Sequence, residues 1–188
     1  MLIFLHIPHT GGRNLGRWLW DKQISYKRLH NSNDLKECEI NEKDILYFII
    51  RNPVERCYKE FLHYSERLDI VGVVNHLTKD LFKNKDYKDY KDYFSLEINC
   101  NVYCKFILLR CDFDKPITED EFENMNIQRL KYDFFENLNK LPKLSEILKQ
   151  EINLATPKYK NDITIPDEIK KFIIEKNKYD IMFLKTFK

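Results

Sequence analysis

Apolar positions along this chain change period in a regular order. Residues 2–7, Leu-Ile-Phe-Leu-His-Ile, form a short apolar run that Pro8 ends, because proline donates nothing to a sheet ladder. Leu15, Trp18 and Leu19 then recur at helical spacing, predicting an amphipathic helix that ends near Lys22. Residues 24–29 fit a second short strand, and residues 30–34, His-Asn-Ser-Asn-Asp, read as a polar loop and helix cap. The strongest strand is residues 45–50, Ile-Leu-Tyr-Phe-Ile-Ile, a continuous apolar run suited to a parallel strand covered on both faces. Directly after it, Pro53 sits where a helix begins, and Val54, Cys57, Tyr58, Phe61 and Leu62 give that helix one apolar face.

Beyond residue 68 the pattern is less regular. Residues 85–93 repeat Lys-Asp-Tyr, which fits a solvated loop or a frayed helix, with a tyrosine-lined acceptor surface as the sharper alternative. Residues 99–109 read as a helix with Val102, Phe106 and Leu109 apolar, residues 121–130 as another, residues 132–135 as a strand, and residues 144–150 as a helix. After a basic loop at 156–162, Thr164 has the place of a capping residue for a final helix. That helix carries Ile169, Phe172 and Ile173 and closes near residues 179–184. No Pro-, Gly- or Ser-rich linker interrupts the 188 residues, so the chain reads as one domain.

Composition singles out the first loop. Of only four glycines, three (Gly11, Gly12 and Gly16) fall in it and in the helix it opens. Glycine serves where a backbone takes unusual dihedrals or approaches something closely. Here it would let Thr10 to Asn14 present successive amides at a helix N-terminus, an arrangement that attracts phosphate or sulfate. The loop is neither a Walker A motif nor a dinucleotide G-x-G-x-x-G, and alone it needs no reading beyond a tight turn. The same strand-loop-helix order recurs at residues 45–68 with arginines in place of glycines, which predicts an α/β sheet holding an anionic ligand across its strand ends. Arg51, with Arg56 beside it, can fork onto phosphate oxygens; a surface ion pair is the alternative for Arg51.

Charge and cysteine content narrow the classes. A net charge of +2 from 32 basic and 30 acidic residues gives no reason to expect nucleic acid as a partner. The five cysteines are scattered, without a C-x-x-C pair or a histidine set that would complete a zinc site, so reduced thiols and no metal are expected. No leader pattern and no membrane-length apolar stretch stands out, which places the protein in the cytoplasm without a membrane partner. Oligomeric state is left open.

Taken together, the two loops resemble a known family. Residues 6–12, His-Ile-Pro-His-Thr-Gly-Gly, are similar to the H-I-P-K-T-G-G signature of carbohydrate-type (heparan-sulfate-type) sulfotransferases. Residues 51–56, Arg-Asn-Pro-Val-Glu-Arg, are similar to that family's R-[DN]-P-x-x-R loop. Weaker resemblance covers residues 101–105 and 177–184. The resemblance implies a single three-layer P-loop-like α/β domain, with a central mainly parallel sheet flanked by helices. It also implies a sulfuryl donor, 3′-phosphoadenosine 5′-phosphosulfate (PAPS), and a hydroxyl acceptor, a carbohydrate or other small molecule.

On that resemblance Thr10, Gly11, Gly12, Arg13 and Asn14 hold the donor's 5′ end, while Arg51 and Lys59 hold its 3′-phosphate. His9 stands where the family keeps the lysine that steadies the leaving oxygen. Arg13 and Asn14 replace the usual hydroxyl residues, and Lys59 replaces a serine. His30, between the two loops, is the expected general base, with an exposed loop histidine as the alternative. His6 reads as a structural strand residue, and His63 and His76 have no motif. Lys158 and Lys160 would cover the nucleotide or simply be solvated. A PAPS- or 3′,5′-ADP-binding module without transfer is the second function class, because histidine replaces lysine at position 9; a kinase is disfavoured by the absent Walker lysine.

Overall fold

In the computed structural model, which describes residues 1–66, 90–154 and 164–187, the apolar runs become the strands of one parallel sheet. Strands β1 (Leu2–Leu5), β2 (Tyr26–Leu29), β3 (Ile45–Ile50) and β4 (Leu130–Phe134) are ordered β2-β1-β3-β4. Leu2 pairs with both Tyr26 and Ile45, and Leu46 pairs with Leu130. Because β1 and β3 are central, their side chains are shielded on both faces and their sequences are apolar throughout. The edge strand β2 tolerates Lys27 and Arg28.

Side chains alternate across the sheet, and each face has its own helical layer. Leu2, Phe4, Tyr47 and Ile49 pack against Leu15 and Leu19 of α1 (Gly12–Asp21). On the other face, Ile3, Leu5, Phe48 and Ile50 meet Leu35 of α2 (Ser32–Lys36). A third cluster joins Val54, Cys57 and Phe61 of α3 (Pro53–Glu66) to Tyr93 and Phe94 of α4 (Tyr90–Ser95). The polar run after β2 caps α2 as expected: Asn31 Oδ1 accepts from the Asp34 amide, and the Asp34 carboxylate accepts from the Asn31 amide.

The later elements differ from the sequence reading where long-range contacts intervene. The helix expected over 99–109 is a 3₁₀ turn, Glu97–Asn99, and then α5 (Val102–Ile107) after a left-handed Asn101. The helix expected over 121–130 is only α6 (Glu119–Glu123), because Leu130 is drawn into pairing with Leu46. α7 (Pro142–Leu148) starts two residues earlier than expected, with its Lys143 and Leu144 amides donating to Asp133 of β4. Thr164 does not cap the last segment. α8 (Asp167–Lys176) begins after Pro166, and Asn177 separates it from α9 (Lys178–Lys185). Residues 85–89 of the Lys-Asp-Tyr repeat and the basic loop at 156–162 lie outside the described residues; Tyr90 to Tyr93 belong to α4.

The break at Asn177 has a clear cause. Asn101 Oδ1 accepts the amides of Tyr179 and Asp180 at 3.0 and 3.2 Å, capping α9, while Asp180 accepts the amides of Tyr103 and Cys104 at 3.1 and 2.9 Å, capping α5. Each helix start is thus satisfied by a side chain from the other. Asn177 Oδ1 closes the group by accepting from the Asn101 amide at 3.0 Å. Nearby Arg56, wholly buried, is paired with Glu60 at 2.5 Å. Burial pushes the Asp180 pKa up, while the Cys104 and Tyr103 amides and the Arg56 charge oppose that rise. No helix among the described residues is long and apolar enough to cross a membrane.

Replacing Asp180 by alanine strands two helix-start amides and removes a buried negative charge near Arg56. A loss of about 2–4 kcal/mol is expected in urea unfolding. A loss below about 1 kcal/mol would show that the mutual capping is not a main source of stability.

Candidate functional site

The chain reverses its winding at β1. From β1 it crosses through α1 to β2 on one side, and then through α2 to β3 on the other, so the ends of β1 and β3 flank a topological switch point. Parallel α/β sheets place ligands in the crevice outside such strand ends. Both loops singled out in the sequence lie there.

The loop after β1 is shaped by close approaches. The buried Thr10 hydroxyl donates to the Ile7 carbonyl at 2.8 Å, fixing the turn. Gly11 is left-handed (φ 85°), and a Cβ there would lie 2.6 Å from Leu138 Cδ2. A Cβ on Gly12 would lie 1.9 Å from Cδ2 of the His6 ring. Helix α1 therefore starts pressed onto His6 and without a side-chain cap; the Asn14 amide donates to the Gly11 carbonyl at 3.1 Å, so the first-turn donors left over are the amides of buried Gly12 and exposed Arg13. Arg13 and Asn14 are exposed on that first turn.

The loop after β3 reaches back to the first. The Arg51 amide donates to Tyr103 Oη at 2.8 Å, and the same hydroxyl donates to the Arg51 carbonyl at 3.0 Å. With its backbone held, Arg51 places its guanidinium over the Phe135 ring at 4.7 Å, and Nη1 donates to the His9 carbonyl at 3.2 Å. Glu55 lies 3.6 Å from Arg51 Nε. Burial lowers the Arg51 pKa, with Glu55 opposing.

His9 takes a positive φ of 60° and sets its ring edge-to-face on His63 at 5.3 Å. Burial, followed by the charges of Arg56, His63, Arg51 and Lys59, lowers the His9 pKa to about 3, so its imidazole is neutral. Half-buried Lys59 lies four residues before His63 on α3. The structure thus brings His9, Arg51 and Lys59 into one electrostatic neighbourhood, with Thr10 to Asn14 on the same loop.

His30 stands on the β2 side of β1. Its backbone amide donates to Asp34 Oδ2 at 2.7 Å, its ring stacks on His6 with centroids 4.3 Å apart, and Nδ1 lies 3.4 Å from the His6 carbonyl. Burial lowers its pKa, helped by Arg28. His6 is pushed to about 3, by burial first and then by His30, Arg28, Arg13 and His9.

Two histidines given no ligand or catalytic role from the sequence, His6 as a structural strand residue and His63 without a motif, contact the predicted site residues His30 and His9. His6 continues the face of Leu2 and Phe4, and that period-two alternation places it beneath α1, where it stacks on Phe4 at 5.5 Å. His63 was findable from its spacing to Lys59 on one helical face. Conversely, Arg56 is not available to a ligand, because it is wholly buried beside Glu60 and Cys57. Residues 101–105 and 177–184, the weaker parts of the resemblance, meet one another in the mutual capping of α5 and α9. His76, Lys158 and Lys160 lie outside the described residues.

Among the described residues, no group of three or more His, Cys, Asp or Glu is arranged to hold a metal ion. No family model matches the chain, and no curated protein or solved structure shows significant similarity to it.

Two measurements test this geometry. Gly12→Ala forces a methyl into the His6 ring and is expected to cost about 1–3 kcal/mol, part of it recovered in the double variant with His6→Ala. Full additivity would remove the contact as the reason for the glycine. The lowered histidine pKa values also fix a pH dependence. From pH 6.5 down towards about 3, the unfolded chain protonates His6 and His9 while the folded chain does not, so each removes about 1.4 kcal/mol of stability per pH unit. In urea titrations His9→Asn should lessen that slope by one histidine's share; an unchanged slope would mean that His9 titrates normally in the folded protein.

Proposed function

We propose that this protein is a PAPS-dependent sulfotransferase with a P-loop-like fold, transferring a sulfuryl group to a hydroxyl acceptor for which a carbohydrate is the expected class. One observation carries the reading. An uncapped helix start after β1 and an arginine loop after β3 lie side by side at the switch point, linked by Arg51 Nη1 and the His9 carbonyl at 3.2 Å. Backbone amides suit one anionic end of a ligand, and a cation-rich wall suits another.

The donor supplies an activated sulfuryl group whose departure leaves a phosphate. Thr10 to Asn14 orient its 5′ end; Arg51 and Lys59 attract the 3′-phosphate. His30, stacked on the His6 ring that Gly12 abuts, would take the proton of an acceptor hydroxyl whose oxygen replaces the phosphate oxygen on sulfur. His9, on the same loop as Thr10 to Asn14, would be the group available to the leaving oxygen. Burial first, and then the charges of Arg56, His63, Arg51 and Lys59, hold its pKa down; a bound bisphosphate would offset the cationic part of that depression and leave the part due to burial. The chain's own work is positioning and electrostatics, with no covalent intermediate. Its five cysteines, all free thiols, fit a reducing cytoplasm.

The second reading, a binding module that holds PAPS or 3′,5′-ADP without transfer, draws support from His9. Its carbonyl engages Arg51, and its ring is neutral in the free protein.

Calorimetry with 3′,5′-ADP tests both readings at once. Arg51→Ala is expected to weaken binding about 10–100-fold, the effect of losing a charge-assisted contact. Absence of any affinity in the wild type would overturn both. Labelled PAPS then separates them. Under the first reading, His30→Ala lowers transfer about 10²–10⁴-fold at unchanged donor affinity. Under the second, the wild type transfers nothing to any acceptor.

A further inference from the structure

His6 occupies an unusual position for a strand-end histidine. Its amide still donates to the Leu29 carbonyl at 2.8 Å, extending the β1–β2 ladder by one residue, so its backbone is fixed. The residue is buried, 5% exposed, and its Nδ1 has no hydrogen-bond partner among the described residues. Phe4 stacks on it at 5.5 Å, Gly12 abuts it so closely that a Cβ would collide, and His30 stacks on it at 4.3 Å with 23° between the planes. A core position of this size is ordinarily filled by an apolar ring, without the cost of an unsatisfied nitrogen.

The His30 side of the stack is equally constrained. Asp34, part of the α2 capping box, holds the His30 amide at 2.7 Å and so fixes where the side chain leaves the backbone. The ring lying on His6 then brings Nδ1 to 3.4 Å from the His6 carbonyl. A bare nitrogen lone pair facing a carbonyl oxygen is repulsive, whereas an N–H facing it is attractive. The hydrogen bond at one ring nitrogen decides which state the other takes.

We propose that His6 is the positioning residue for His30: clamped between Phe4 and Gly12, its ring is the floor on which the His30 imidazole lies. Nδ1 of His30 then carries the proton towards the His6 carbonyl, and Nε2 is the proton-accepting nitrogen. The proposal rests on the sulfuryl-transfer reading only for the source of the proton, the acceptor hydroxyl. The groups around the pair are consistent with a neutral His30. Burial above all, and then Arg28 on β2 and Arg13 on α1, disfavours its protonation, while the His6 carbonyl and Asp34 on α2 act in the opposite sense.

The two parts of the claim are measured separately. Long-range proton–nitrogen correlation spectra of protein labelled at histidine nitrogens, with His30 assigned through His30→Gln, read the tautomer directly. Wild type is expected in the Nδ1–H form. His6→Phe, which keeps a flat ring against Gly12, should retain it, and His6→Ala should shift it towards the Nε2–H form favoured by solvent-exposed neutral histidines. An Nε2–H signature in the wild type, or no change in His6→Ala, would overturn the proposal. Release of sulfate from labelled PAPS, with water as the acceptor, is the kinetic probe. His6→Ala should lower turnover about tenfold at unchanged KM, with His6→Phe within about threefold of wild type. Unchanged turnover in His6→Ala would overturn the catalytic part. A protein that neither binds 3′,5′-ADP nor releases sulfate removes the sulfotransferase reading, and the tautomer spectra still decide whether His6 sets the His30 ring.

Discussion

The hydroxyl of Tyr103 is the interaction on which the arrangement of the site depends. It accepts from the Arg51 amide and donates to the Arg51 carbonyl, so the residue that ends β3 is held at both of its backbone polar groups. Tyr103 is itself held, because its amide donates to Asp180 at the start of α5. Asp180 in turn sits on α9, whose first amides are capped by Asn101. A continuous line of buried and part-buried hydrogen bonds thus runs from the α5–α9 contact to Arg51 and, through its guanidinium, to the His9 carbonyl. Buried polar groups tolerate few alternative arrangements, since each unmade bond costs its full desolvation. The position of Arg51 is therefore set by the core.

A similar constraint governs the other loop. The helix after β1 can begin where it does only because Gly12 has no side chain to meet His6, and Gly11 adopts the left-handed turn against Leu138. These glycines answer first to packing inside the protein. The outcome is a helix start without a side-chain cap, resting on a neutral imidazole, beside an arginine loop. Overall charge conceals this, since a net +2 spread over 188 residues says nothing about where the cations gather. Arg51 reaches the His9 carbonyl, and the His9 pKa, lowered first by burial, is lowered further by the charges of Arg56, Arg51 and Lys59.

The sequence by itself determined the framework. Continuous apolar runs at 2–5 and 45–50 became the two central strands, because only a strand covered on both faces is apolar at every position. The loops that follow them were legible from glycine, proline and arginine at strand ends, and the α2 cap from Asn31 and Asp34, because these signals act within a few residues of the chain.

Tertiary structure decided everything that needed a distant partner. It shortened the helix at 119–123 when β4 claimed Leu130, and it split the last helix at Asn177 to meet Asn101. It buried Arg56 with Glu60, so an arginine whose motif position suggested ligand contact is spent inside the core. It also made His6 a neighbour of His30 and Gly12, although 24 residues separate the two histidines. The physical reason is common to these cases. Local periodicity records which way a side chain points, whereas the partner it meets there is fixed only when separate elements pack and their buried polar groups must all be satisfied at once.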